Sequence, residues 1–156
     1  MPSKVQLYAQ MADRTAEQIT GSYQKWTAFL TTAARLYKYP YNEQLMIFAQ
    51  RPEATACAEY DLWNKQMGRY VRRGSKGIAL LDTTGDNPRL KYVFDVSDTG
   101  GRENSRRLNL WEYKDEHHDS VTADLENRFG VSGEKGLADQ LEQIASKLVT
   151  EYWNDN

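Results

Sequence analysis

The chain has 156 residues, 40% hydrophobic and 27% charged, the balance of one folded domain rather than of a disordered segment. A single cysteine, Cys57, excludes an intramolecular disulfide. No run approaches the roughly 18 apolar residues of a membrane span, and no apolar leader opens the chain, so a cytoplasmic protein is expected. The net charge of -2 conceals a division: residues 1–77 carry eleven Lys/Arg and six Asp/Glu, whereas residues 78–156 carry nine and sixteen.

Helical spacing dominates the first half. Residues 3–19 place Val5, Tyr8, Met11, Ala12 and Ile19 on one face. Gly21 breaks that run and Ser22 can cap the next, in which Tyr23, Trp26, Leu30, Ala33 and Tyr37 form one stripe, expected to face the core. Pro40 suits the first turn of a short helix over 42–50, whose run Leu45–Ala49 predicts a buried centre. Thr55 can cap a fourth helix with Tyr60, Trp63 and Met67 on one face, Cys57 buried within it, and Gly68 as its left-handed terminator. The period then becomes strand-like. Ile78–Leu81 and Arg89–Val96 read as a β-hairpin, with Leu90, Tyr92, Phe94 and Val96 on one side. Gly100-Gly101 starts a polar loop, and the acidic tail predicts helices over 119–129 and 137–153. The second carries an expected core stripe from Leu137 to Tyr152. The fold class is therefore α+β: a helical N-terminal half, a small antiparallel hairpin or sheet and two C-terminal helices, taken as one domain over 1–156.

Catalytic and metal patterns are missing. His117 and His118 are adjacent, whereas ligands on one helix face need steps of three or four. There is no HExxH, no GxSxG and no phosphate-binding Walker loop. No catalytic residue, metal ligand or cofactor is assigned.

The segment from Arg69 to Gly77 concentrates Arg69, Tyr70, Arg72, Arg73 and Lys76 with two glycines. Phosphate recognition uses such parts: cations for the charge, glycine for close backbone approach and an aromatic for stacking on a base. The same composition also suits a solvated basic turn before a strand. A second cluster, Tyr37-Lys38-Tyr39-Pro40-Tyr41-Asn42, is a stiff aromatic ridge that reads either as a stacking platform or as a helix–helix corner, with Tyr41 turned inward.

The order Tyr39-Pro-Tyr-Asn-Glu-Gln-Leu-Met-Ile, Gln50-Arg-Pro-Glu-Ala-Thr, Trp63, Gly68-Arg-Tyr-Val-Arg-Arg-Gly-Ser-Lys-Gly-Ile and Tyr92-Val-Phe-Asp-Val-Ser-Asp-Thr resembles the N-terminal domain of ArdC-type antirestriction proteins. The likeness covers about residues 20–100, and is greatest to versions heading large proteins of conjugative elements. It departs at Pro40 and Tyr41, where that family commonly has Ser and an aliphatic residue. The resemblance implies binding of single-stranded DNA without strong sequence preference. It aligns Tyr39, Asn42 and Gln44 with the family's Tyr-x-x-Asn-x-Gln helix start, and Arg69 to Gly77 with its basic segment. Nothing matches the zinc motif of the protease-like domain found elsewhere in that family.

Two expectations follow. The first is a non-enzymatic single-stranded-DNA-binding module of a bacterial mobile-element protein, using Lys38, Tyr39, Asn42, Gln44, Arg69, Tyr70, Arg72, Arg73 and Lys76. The second is a protein-interaction module that docks host restriction or conjugation machinery. The ending straight out of a helix at Tyr152–Asn156 suggests further domains of a larger parent protein.

Overall fold

In the computed structural model, which describes residues 1–156, the first three helices start where their sequence signals lie. Ser3 opens α1 (Lys4–Ile19): its hydroxyl accepts the Gln6 N–H at 3.2 Å, and the Gln6 side-chain oxygen accepts the Ser3 N–H at 2.7 Å. Ser22 opens α2 (Tyr23–Arg35) by accepting the Lys25 N–H. The third helix, α3 (Tyr41–Gln50), begins directly after Pro40, which takes the cap position rather than the first turn. Its Leu45, Met46 and Ile47 are buried, as the apolar run requires.

The face that α2 buries is not the aromatic one. Phe29, Thr32 and Leu36 are buried, while Tyr23, Trp26, Leu30 and Tyr37 are exposed. Thr32 can turn inward because its hydroxyl donates to the Pro52 carbonyl at 2.6 Å. Hydrophobicity alone favoured the aromatic stripe, but this hydrogen bond makes a polar residue fit for the core.

No helix begins at Thr55. The backbone N–H groups of Thr55 and Ala56 donate instead to Asp95 Oδ1 at 2.8 and 3.0 Å, which holds the chain extended. Cys57–Ala58 then forms β1, paired antiparallel with β4 (Arg89–Asp95). Of the expected helix only one wide turn survives, Leu62–Gln66, closed by a bond from Met67 N–H to the Leu62 carbonyl. Gly68 ends it with φ 62°, the left-handed stop that the sequence predicts. Trp63 is buried there, and its Nε1–H donates to the Phe94 carbonyl at 2.9 Å.

β3 (Ile78–Asp82) and β4 make the expected hairpin, in register from Ile78–Val93 to Asp82–Arg89. The predicted alternation is present. Val93 and Asp95 are buried, and Leu90, Tyr92 and Phe94 lie on the other face. Ile78, Leu80 and Val93 join Ala12, Leu36, Met46 and Ile47 in one core cluster, so the hairpin face toward the helices is the one carrying Val93. Strand order in the sheet is β1–β4–β3. Along the free side of β3, the Gln50 side chain donates to the Ala79 carbonyl at 2.8 Å and accepts the Ala79 N–H at 2.9 Å.

A separate two-stranded ribbon pairs β2 (Arg69–Val71) with β5 (Thr99–Gly101). Gly100 and Gly101 are thus strand residues rather than the start of a loop. The architecture is α+β, with a helical N-terminal half, small antiparallel sheets and two C-terminal helices.

The chain forms two compact units, residues 1–108 and 109–156. In the second, α4 (His118–Phe129) ends at Gly130 with φ 69°, and α5 (Leu137–Asp155) follows. Val131, Gln140 and Ile144 are its buried residues. The Gln140 side-chain nitrogen donates to the Thr122 and Val131 carbonyls, both at 2.9 Å. The expected core stripe of α5 is covered only at Ile144. Leu141, Leu148 and Tyr152 are exposed, because the unit has just one other helix to cover them.

Candidate nucleic-acid interface

The basic segment owes its shape to β5. Arg69 pairs with Gly101, Tyr70 with Gly100 and Val71 with Thr99. The Arg72 N–H then donates to the Asp98 carbonyl at 2.8 Å, and the Ser75 N–H to the Arg72 carbonyl at 3.1 Å, which closes a turn over 72–75. Gly74 sits in that turn with φ 86°, a conformation that other residues rarely adopt.

Each predicted cation of this segment can be placed. Arg69 is half-buried and spans the ribbon, its Nε donating to Thr99 Oγ1 at 2.8 Å. Arg72 is exposed, with Nη1 donating to the Ser97 carbonyl at 2.6 Å. Arg73 and Lys76 are exposed. Tyr70 is 44% exposed and lies across the glycine opposite it. A Cβ on Gly100 would stand 2.8 Å from Tyr70 Cε1 and closer still to the ring's hydroxyl end, so only glycine lets the ring settle there.

The ribbon also gathers cations that sequence reading missed. Arg102 directly follows β5, and its N–H donates to the Gly68 carbonyl at 3.2 Å. Its guanidinium carbon lies 6.0 Å from the Tyr70 ring centroid, within cation–π reach. The Arg106 N–H donates to the Met67 carbonyl at 2.9 Å, which ties a further arginine beside the same ribbon. The signal available in sequence was the run Arg102, Arg106, Arg107. It was read as a loop because the pairing that folds it back is about thirty residues removed.

Neighbouring acids do not neutralise these charges. Asp98 is held by Arg51, whose Nη1 and Nη2 reach its two carboxylate oxygens at 3.0 Å each. Asp95 is buried and accepts bonds from Thr55, Ala56 and Ser97. Burial works to raise its pKa, but these bonds outweigh it and hold the carboxyl below its ordinary value. None of Arg69, Arg72, Arg73, Lys76, Arg102 and Arg106 makes an ion pair.

The second predicted cluster is arranged differently. The Tyr39 hydroxyl donates to the Cys57 carbonyl at 2.8 Å and its ring packs on the main core, so this tyrosine anchors β1. Burial raises its phenol above the ordinary range. Tyr41, expected inside, is 50% exposed, with its ring edge-on to the buried Phe29 at 5.8 Å. The Gln44 side chain donates to the Leu36 carbonyl at 3.1 Å and closes the end of α2. Asn42 is exposed and caps nothing. Lys38 is exposed, its ammonium 5.9 Å from the Tyr37 ring centroid. Lys38 and Tyr39 line a groove of about 490 Å3 whose wall also includes Glu59 and Asp61, so it offers phosphate no uniformly positive track. No hydrogen bond or ion pair joins this cluster to the ribbon.

Groups with shifted titration serve the framework. Burial, then the Asp95 charge, pushes the Cys57 thiol up to about 12, away from nucleophilic use at neutral pH. The Asp82 carboxyl is held well below the carboxylate range by Thr84 and Arg89 within the β3–β4 turn. No three His, Cys, Asp or Glu side chains converge in a way that could hold a metal ion. No helix is long and apolar enough to cross a membrane. The chain matches no family model, no curated protein and no solved structure.

Proposed function

We propose that the chain is a non-enzymatic module that binds single-stranded DNA through the β2–β5 ribbon, within a mobile-element protein of ArdC type. The observation that carries this reading is the set of six ribbon cations without an acidic partner, gathered around an exposed tyrosine. Arg72, Arg73, Lys76 and Arg106 would contact phosphates. Tyr70, backed by Gly100 and attended by Arg102, would stack on a base. Single strands suit this surface better than duplex, because a stacking ring needs an unpaired base face. Tyr39 and Gln44 serve β1 and the end of α2 as framework, and Lys38 and Asn42 stand outside the proposed contact.

The test is a fluorescence-anisotropy titration with a labelled mixed-sequence oligonucleotide, single- and double-stranded, across a range of salt. Four phosphate contacts give a slope of log K against log salt of about -3 for a single strand. Arg72→Ala with Arg73→Ala should weaken binding at least about tenfold and flatten that slope by about 1 to 1.5. Tyr70→Ala should cost about 1–3 kcal/mol with the slope unchanged. Absence of binding to either form at low salt would sink the reading.

A further inference from the structure

An exposed tyrosine set on a glycine, with a cation beside its ring, occurs twice in residues 1–108. At the ribbon, Tyr70 lies across Gly100, and Arg102 stands 6.0 Å from its ring centroid. On the outer face of the hairpin, Tyr92 lies against Gly77. A Cβ at Gly77 would stand 3.2 Å from both Cβ and Cδ1 of Tyr92, closer than side chains ordinarily meet. Lys4, the first residue of α1, is exposed and holds its ammonium 5.6 Å from the Tyr92 ring centroid. The Tyr92 side chain is itself 39% exposed.

The two places lie on one strip of paired backbone. β2 runs through the basic turn into β3, and β4 runs through Val96–Asp98 into β5. These two segments stay antiparallel: Tyr70 pairs with Gly100, the Arg72 N–H donates to the Asp98 carbonyl, and Ile78 pairs with Val93. Tyr70 therefore stands at one end of the turn that carries Arg72, Arg73 and Lys76. Tyr92 stands at the other end, where Gly77 directly follows Lys76. The chain from Tyr70 to Gly77 spans at most about 25 Å, a length that a short oligonucleotide covers.

Charge favours the same path. Neither Lys4 nor Lys76 makes an ion pair. The groove that Tyr92 also borders has the other sign: it holds Glu59, Asp61 and Asp82, and its Lys91 is tied to Glu43 at 2.8 Å. Phosphates are drawn along the basic turn and repelled from that groove, which sets an end to the track.

We propose that Tyr92, seated on Gly77 and attended by Lys4, is a second base-stacking position for the single strand held by the ribbon. The inference rests on the ribbon reading and extends it. One base stacks on Tyr70 and a later one on Tyr92, with the intervening phosphates on Arg72, Arg73 and Lys76. Lys4 takes the phosphate beside the second base. The ring is set before binding, because Gly77 lies beneath it, so little ordering is needed when a base arrives.

Photo-crosslinking of the full chain to a mixed-sequence strand of about 12 nucleotides containing iododeoxyuridine tests this directly. Adducts are expected at Tyr92 as well as at Tyr70. In an anisotropy titration with the same strand, Tyr92→Leu should bind about tenfold more weakly with an unchanged melting profile, since it keeps an apolar group on Gly77 but removes the ring. Tyr92→Phe, which keeps the ring, should bind as the wild type does. Lys4→Ala should flatten the slope of log K against log salt by about 0.7. Adducts confined to the ribbon, with Tyr92→Leu binding as the wild type does and Tyr70→Ala weakened, overturn the second position and leave the ribbon reading standing. Equal weakening of Tyr92→Leu and Tyr92→Phe also overturns it. A wild-type chain that binds no single strand overturns both.

Discussion

Residues 1–108 and 109–156 solve the folding problem with opposite resources. The first unit owns fourteen of the sixteen buried hydrophobic side chains and carries sixteen Lys/Arg against eleven Asp/Glu. The second owns two buried hydrophobics and carries four Lys/Arg against eleven Asp/Glu. One is a cored, basic body and the other an acidic helical pair that exposes the apolar arc of its longer helix. Core and positive charge have been placed together, and the acidic part lacks the burial to stand alone. Stability and nucleic-acid affinity should therefore both belong to residues 1–108.

Separating the units breaks or confirms that comparison most sharply. A chain of residues 1–108 should keep a cooperative thermal transition by circular dichroism, whereas residues 109–156 alone should show partial helix and no cooperative melt. A cooperative transition in the shorter piece would show that two buried hydrophobics suffice.

Within the first unit, Asp95→Ala should have the largest effect of any single exchange described. It strands the Thr55, Ala56 and Ser97 N–H groups and should cost about 3 kcal/mol in urea unfolding followed by circular dichroism. The sign with pH is fixed by the lowered pKa. The stabilisation from Asp95 is present above the ordinary carboxylate value near 3.8, and is lost as pH falls through the lower folded value.

Gly100→Ala sharpens the comparison at the ribbon. The new methyl must displace the Tyr70 ring, at a cost of about 1–2 kcal/mol. Single-strand affinity should fall with it, by about tenfold in the titration above. An unchanged affinity would remove Tyr70 from the contact.

The smallest effect concerns Cys57. Its thiol is raised in the folded chain, so its contribution is fully present below the unfolded value near 9 and is lost as pH climbs toward about 12. Between about pH 8 and about pH 9.5 the loss should be about 1 kcal/mol. A thiol reagent should label the native protein far more slowly than the urea-unfolded chain.

Local signals were legible and non-local ones were not. Ser22, Gly68 and Gly130 act on their own neighbours, and the breaks they predict are present. Residues 55–58 read as helix because alanine and short side chains favour it. An aspartate about forty residues away captures their N–H groups and makes them a strand. The faces of α2 and α5 differ from expectation for a shared reason: large apolar side chains were equated with the core. Thr32 and Asp95 are inside because specific hydrogen bonds receive them, and Tyr23 and Tyr152 are outside because nothing in their own unit covers them. At the candidate site, the basic run Arg69–Lys76 was visible as composition. Its partnership with Arg102 and Arg106 was not, since it depends on the β2–β5 register.

The bidentate grip of Gln50 on Ala79 bears on how the molecule behaves in company. An unpaired strand edge is a template on which another chain can build, in strand addition or in aggregation. Here the amide of one side chain occupies the place that a neighbouring strand would take, and the opposite edge, Cys57–Ala58, is only two residues long. Strand addition at the Ala79 step of β3 is thereby blocked by a single side chain. Exchanging Gln50 for a residue without an amide would reopen that step as a template.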